Sequence, residues 1–268
     1  MTAPGVSPDQ AIAAYQAKLS DRHFQDLKFG EVTRALRALS AGYVEKRETG
    51  GLARALDGRG KRAAFALYYG TTHLLVARLL VREFGLAFGA DPKRSGRTRP
   101  PTILDLGCGT GVCGAAWAME GSSGVSITGA DRSSFALHEA RWTYQTLRLR
   151  GETSRSIIEL LDASRPPEGI VLGWTLNELD DPLREAVAQR IVPWVTRGCR
   201  LLVIEPVSKR VTPWWDEWTA RFPKDVCVAA ERRLRLDFPP KIALLARSAG
   251  LDATTTVVKV LASRIPAC

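Results

Sequence analysis

Little in this sequence of 268 residues points to a metal, a membrane or an oxidising compartment. The five cysteines are Cys108, Cys113, Cys199, Cys227 and Cys268. The count is odd and no spacing fits a zinc site, so neither a disulfide framework nor a metal is expected. A reducing, cytoplasmic setting with small buried thiols suits this set. Residues 1–10 carry neither an apolar signal core nor a basic leader. The longest apolar stretch, 63–81, is interrupted by Tyr68, Tyr69, Thr71, Thr72, His73 and Arg78. It reads as too polar to span a bilayer, and no membrane partner is expected. No segment repeats, which excludes a solenoid. Acidic side chains are also short: 28 Asp and Glu face 38 Lys and Arg, for a net charge of +10. That excess favours a polyanionic partner such as RNA, although arginines spread along apparent helices also suit a solvated face.

What is present is ordinary globular material: 45% hydrophobic residues support a core of normal size. The first ninety residues read as helical. Pro8-Asp9 starts one helix running to about Leu19. Residues 31–47 place Val32, Leu36, Leu39 and Tyr43 at helical spacing, and 61–84 form a long helix apolar on more than one face. Residues 90–101 combine Pro, Gly, Lys93, Arg94, Arg97 and Arg99 without periodicity and read as a basic linker. From Thr102 short β-rich runs alternate with helical ones. The expected strands are 102–106, 125–130, 156–160, 170–174, 200–205, 225–236 and 254–262. The expected helices are 112–120, 134–147, 183–195 and 240–249. The division is 1–90 helical, 91–101 linker and 102–268 ligand-binding domain. Such alternation means an α/β fold, a Rossmann-like parallel sheet with helices on both faces, here preceded by an N-terminal helical region.

The informative motif closes the first strand: Asp105-Leu106-Gly107-Cys108-Gly109-Thr110-Gly111. Alternating glycines permit positive φ and let backbone N–H groups approach a ligand, beside the partial positive charge of a helix N-terminus. In open α/β sheets such loops sit where ligands bind. The fingerprint is ambiguous, because Gly109-x-Gly111-x-x-Gly114 followed by Asp131 also satisfies the dinucleotide pattern. Asp105 tips the balance. Its charge would repel a pyrophosphate by about 1–4 kcal/mol at about 4 Å, but would favour a cationic ligand.

Asp105-x-Gly107-x-Gly109-x-Gly111 resembles the first motif of class I S-adenosylmethionine-dependent methyltransferases, and the likeness covers about 102–263. It implies S-adenosyl-L-methionine as cofactor. It assigns cofactor contacts to Asp105, Gly107, Cys108, Gly109 and Gly111. Asp131 accepts the ribose hydroxyls with Arg132 beside it, and Asp162 lies near the adenine amine. Asp131 can equally cap the next helix. Trp174 closes the fourth strand, where that family presents the transferred methyl, and Tyr68 lies in a helix able to cover the cofactor. No catalytic residue is assigned; Asn177, Glu178 and Tyr69 are the candidates.

The segments around Tyr43, Tyr68, the glycine loop, Leu176-Asn177-Glu178-Leu179 and Glu205-Pro206 also resemble the small-ribosomal-subunit methyltransferase-like family. That implies RNA or the small ribosomal subunit as partner. The chain departs from that family in offering only Cys227 where members carry a cysteine cluster, and in lacking their Arg-x-Pro element. No Asn-Pro-Pro-Tyr clamp and no Pro-Cys nucleophile follow the strands, so covalent attack on a pyrimidine is not expected. Two alternatives stay open. One is a small-molecule methyltransferase, with the N-terminal helices and Trp214, Trp215 and Trp218 as a lid. The other is a non-catalytic cofactor-binding assembly factor. A nicotinamide oxidoreductase is a distant further reading, weakened by Asp105.

Overall fold

The computed structural model describes residues 7–45, 56–89, 99–121, 124–161 and 165–265. The sequence alternation becomes a seven-stranded sheet. In chain order the strands are β1 (Thr102–Leu106), β2 (Ser126–Ala130), β3 (Arg150–Ser154), β4 (Gly169–Gly173), β5 (Arg200–Pro206), β6 (Cys227–Arg235) and β7 (Thr255–Ser263). Their spatial order is β3-β2-β1-β4-β5-β7-β6. The first five are parallel, and β7 enters antiparallel between β5 and β6. The order reverses between β1 and β4, so a crevice opens beyond the carboxyl ends of those two strands.

Alternation along the strands separates two cores. Ile103, Val171, Leu202 and Ile204 face one layer, and Leu104, Leu106, Ile170, Leu172, Leu201 and Val203 face the other. The first layer holds α5 (Val112–Glu120), α6 (Ser134–Thr146) and α10 (Pro240–Ser248). The N-terminal helices α1 (Pro8–Phe24), α2 (Phe29–Glu45), α3 (Arg59–Ala64) and α4 (Thr71–Glu83) pack on that same layer and share its core. The second layer holds α7 (Ile157–Leu161), α8 (Asp181–Thr196) and α9 (Trp215–Thr219).

Local chemistry explains the helix starts. Ser7 and Gln10 form a reciprocal cap, with Gln10 N–H donating to Ser7 Oγ at 3.2 Å and Ser7 N–H to Gln10 Oε1 at 2.9 Å. Pro8 takes the first helical position, where a missing N–H costs nothing. Asp180 caps α8 through Leu183 N–H at 2.9 Å. Helix α4 packs along α5, and Arg78 and Arg82 of α4 both pair with Glu120.

Two elements differ from the sequence reading. Residues 156–160 were expected as a strand, but β3 is Arg150–Ser154 and Ile157–Leu161 is a helix. The edge strand Arg-Gly-Glu-Thr-Ser has no apolar face to display, while the apolar run after it folds under a Ser156 cap, whose Oγ accepts from Glu159 N–H at 3.1 Å. The long helix expected at 61–84 contains a π-helical turn, Phe65–Gly70, between α3 and α4. The whole rod, Arg59–Glu83, is long and apolar enough to cross a bilayer by length and composition, with a window of mean hydropathy 1.3. That window is 72% buried inside the protein, which makes it a core helix. Most of the expected linker, with Lys93, Arg94 and Arg97, lies outside the described residues, as do Asp162 and Cys268.

Candidate functional site

The crevice between β1 and β4 holds a cavity of about 420 Å³. Its floor is the glycine loop. Gly107, Gly109 and Gly111 all have positive φ, at 65°, 51° and 75°. Gly107 also has no room for a side chain: a Cβ there would lie 2.4 Å from Thr175 Cγ2. Thr175 is fixed in turn, its hydroxyl donating to the Leu106 carbonyl at 2.8 Å. Gly111 begins α5 and packs on Ala140 and Tyr144; it does not line the cavity.

Two carboxylates brace the loop. Asp105 Oδ2 accepts the Gly114 N–H at 2.8 Å, occupying a first-turn donor of α5. Its Oδ1 is buried and has no partner among the described residues. Burial, opposed by the Gly114 bond and reinforced by the Asp131 charge, pushes the Asp105 carboxyl up to about 7. Asp131 follows β2 and accepts from Gly109 N–H at 3.0 Å and from Ser133 N–H at 2.8 Å. Burial raises its carboxyl above the ordinary value. Ser133 is the helix cap, taking Ala136 N–H at 3.3 Å, so Asp131 links the glycine loop to that cap.

The fourth-strand edge forms the facing wall. Trp174 has φ +55° and stacks on His73 from α4 at 3.7 Å between ring centroids and 8° between planes. Burial pushes the His73 imidazole down to about 3, so it is neutral at pH 7. After Trp174 comes a 3-10 turn, Leu176–Glu178. Asn177 Oδ1 is buried without a partner. Glu178 is exposed toward the cleft, yet desolvation and the Asp131 charge, partly offset by Arg132, raise its carboxyl to about 7. Beneath the turn lies Glu205 at the end of β5. It accepts from Leu176 N–H at 2.8 Å and also from the backbone of Asn177 and Thr175.

An aromatic roof closes the cavity. Tyr68 stacks parallel on Phe238 at 5.9 Å and donates to the Asp252 carbonyl at 3.3 Å. Tyr69 lies edge-on to Tyr68 at 5.1 Å. The π turn lowers this segment onto the loop: a Cβ at Gly70 would lie 3.2 Å from Thr110 Oγ1.

The structure therefore brings Asp105, Gly107, Cys108, Gly109, Asp131, Arg132, Trp174, Asn177, Glu178, Tyr68 and Tyr69 to one cavity. The lid expected from Trp214, Trp215 and Trp218 is overturned. Trp215 and Trp218 are buried in the second core, and Arg184 covers Trp214 at 4.4 Å. Thr175 and Glu205 carry the wall without having been read as site residues; each acts through backbone groups, which leave no side-chain pattern. Among the described residues no group of three His, Cys, Asp or Glu is placed to hold a metal.

No protein-family model and no curated protein matches the sequence. Solved structures match in shape. The plantazolicin methyltransferase BpumL, solved with a pentazolic desmethylPZN analog and SAH, is 13% identical, with TM-score 0.50, covering 89% of this chain and 99% of that one. The chain has the fold of a class I methyltransferase. Looser likenesses include a precorrin-8w decarboxylase of Methanobacterium thermoautotrophicum, 16% identical over 71% of this chain and 90% of that one, with TM-score 0.48. Another is a precorrin-6y C5,15-methyltransferase of Geobacter metallireducens, 11% identical over 62% and 80%, with TM-score 0.43. Neither adds to the fold argument.

Proposed function

We propose that this protein is an S-adenosylmethionine-dependent methyltransferase. The observation that carries the reading is the pairing of a glycine floor with Asp131 and Asp105 at the sheet crevice. The residues fit the cofactor. Gly107 leaves a cradle that a Cβ would fill, and Asp105 adds an orphaned carboxylate oxygen facing a cationic ligand. Asp131 would accept the ribose hydroxyls, and the loop N–H groups and helix start would hold the polar end. Tyr68, His73 and Trp174 would exclude water from the reacting centre, where a cation also gains from aromatic faces. When bound, the cofactor supplies an electrophilic methyl on sulfonium. Positioning can carry most of the rate for a good nucleophile. BpumL, of similar fold, was solved with SAH, which supports this cofactor. A dinucleotide fits less well, because Asp105 already takes the Gly114 donor at the helix start.

For the acceptor we infer RNA or a ribosomal component. The net charge of +10 and the resemblance to the ribosome-associated family support it, as do Arg233 and Arg235, exposed on one face of edge strand β6. Two other expected contacts are partly spent internally, Arg59 on Asp26 at 2.6 Å and Arg232 on Glu83. The small-molecule reading draws on the cavity itself, where Arg132 is the only Lys or Arg among the described lining residues.

Calorimetric titration with S-adenosylmethionine, S-adenosylhomocysteine and NAD tests the cofactor. Micromolar binding of the two adenosyl ligands is expected, weakened about ten- to a hundredfold in Asp131→Ala through loss of charge-assisted hydrogen bonds. Binding of NAD alone overturns the reading. Salt-sensitive RNA binding tests the acceptor class; its absence at low salt rejects RNA. Tight cofactor binding with no transfer to any substrate would leave a non-catalytic assembly factor.

A further inference from the structure

The wall opposite the glycine loop has a chemistry that the cofactor reading does not use. Asn177 and Glu178 stand side by side on the 3-10 turn, and both line the cavity. Asn177 Oδ1 is buried with no hydrogen-bond partner. Glu178 contributes a carboxylate and makes no ion pair among the described residues. A buried oxygen without a donor costs free energy that a ligand N–H would recover. The cavity is also short of cations: Asp105, Asp131 and Glu178 face one Arg132. An acceptor that is anionic, or that brings only oxygen lone pairs, would meet like charge and leave Asn177 unsatisfied.

We propose that the methyl acceptor is a nitrogen bearing at least one N–H, an amine or an N–H heterocycle, held by Asn177 Oδ1 and deprotonated by Glu178. The proposal rests on the methyltransferase reading and names the substrate class of that same site. The nitrogen lone pair attacks the methyl carbon and a C–N bond forms. The C–S bond breaks, and its electron pair stays on sulfur as a neutral thioether. The nitrogen, now cationic, loses its proton to the Glu178 carboxylate, and solvent carries it away. The neutral His73–Trp174 stack gives the transient cation an aromatic face without a competing charge. Glu178 suits the task, because its carboxyl, raised to about 7, takes a proton well near neutral pH. The groups acting on it are Asp131, which raises it, and Arg132, which lowers it, with Glu205 packed beneath the same turn. This is a different arrangement from an Asn-Pro-Pro-Tyr clamp, since the second acceptor is a carboxylate.

The test uses full-length protein and S-adenosylmethionine labelled in the methyl group. It is run separately on ribosomal RNA and on a deproteinised small-molecule extract, and the labelled atom is identified in the product by mass spectrometry and NMR. Label on nitrogen is the expected result, and the pool that carries it says whether the nitrogen belongs to RNA or to a small molecule. Label on oxygen, sulfur or carbon overturns the proposal. So does S-adenosylhomocysteine binding with no transfer to either pool, which leaves the cofactor reading intact. Failure of the unaltered protein to bind S-adenosylhomocysteine overturns the cofactor reading itself. Glu178→Gln should lower kcat about a hundredfold, with S-adenosylhomocysteine affinity within threefold, and should abolish the rise of kcat with pH near 7. Glu178→Asp should restore part of that rise. An unchanged pH profile in Glu178→Gln removes Glu178 from the role of base.

Discussion

Glu205, at the end of β5, accepts the backbone N–H of Leu176 at 2.8 Å and so fixes the turn that presents Asn177 and Glu178 to the cleft. The side chain is fully buried and its second oxygen has no partner among the described residues. Removing the carboxylate strands backbone donors that water does not reach. Glu205→Ala should therefore cost about 1–3 kcal/mol. That corresponds to a fall in Tm of roughly 3–10 °C, read by circular dichroism. Glu205→Gln keeps one acceptor in place and should lie closer to the native protein. Equal melting of all three would show that the turn does not depend on this residue.

Buried carboxyls also set the response to pH. Asp105 is raised from 3.8 to about 7 and Glu205 from 4.5 to about 8, both chiefly by desolvation. A raised acid means that the folded protein keeps protons that the unfolded chain releases. Stability therefore falls as pH rises from about 4 to about 8. Glu139 and Asp252 shift the other way, so their contribution is present above the ordinary carboxylate range and lost only in stronger acid. Urea unfolding at steps from pH 5 to 8.5 should show the midpoint falling at constant slope. Glu205→Gln should flatten the upper part of that fall, and a midpoint that climbs through this range would contradict the assignment.

The glycine loop allows strain and steric overlap to be separated. Gly107 and Gly85 have nearly the same φ, 65° and 62°, but an added Cβ meets Thr175 at 2.4 Å in the first and nothing within 4 Å in the second. Gly85→Ala should lose only the left-handed penalty, about 1–2 kcal/mol. Gly107→Ala should lose more, because Thr175 must leave its bond to Leu106, and it should also lose adenosyl-ligand binding. Denaturant unfolding of the pair measures the difference. Equal losses would mean that the loop yields where the contact requires it to hold.

Sequence made most of this fold legible because the strands that bury both faces announce themselves. Ile103 to Leu106, Ile170 to Leu172 and Leu201 to Ile204 are unbroken apolar or nearly apolar runs, and Gly107, Gly109 and Gly111 mark the turn after the first of them. The failures share a cause. Arg150–Ser154 is an edge strand held by backbone pairing to β2, with no apolar side chain to signal it. The π turn at Phe65–Gly70 changes hydrogen-bond spacing within a helix whose composition is unaltered. Trp214, Trp215 and Trp218 at helical spacing read equally as a lid or as core, and only the packing of α9 against the second layer decides. In the site, Asp131 and Trp174 were legible from position in the alternation. Glu205 was visible only as a Glu-Pro pair, because its work is done on backbone N–H groups twenty-nine residues away.

Trp174 offers a last and less usual expectation. It holds φ +55°, a conformation that costs a residue with a Cβ about 1–2 kcal/mol, and it is kept there by its stack on His73 and by Trp174 N–H donating to the Ile204 carbonyl at 2.7 Å. Both Trp174→Ala and Trp174→Gly lose the stack. Alanine ordinarily outperforms glycine because it has less unfolded-chain entropy to surrender, by about 0.4–1 kcal/mol. At a left-handed position the order reverses, since glycine escapes the strain. Trp174→Gly should thus be the more stable of the two by about 1 kcal/mol in denaturant unfolding, while both bind S-adenosylhomocysteine more weakly than the native protein. If alanine proves the more stable, the backbone at 174 relaxes once the indole is gone, and the stack rather than the chain is what imposes the left-handed turn at the edge of the cleft.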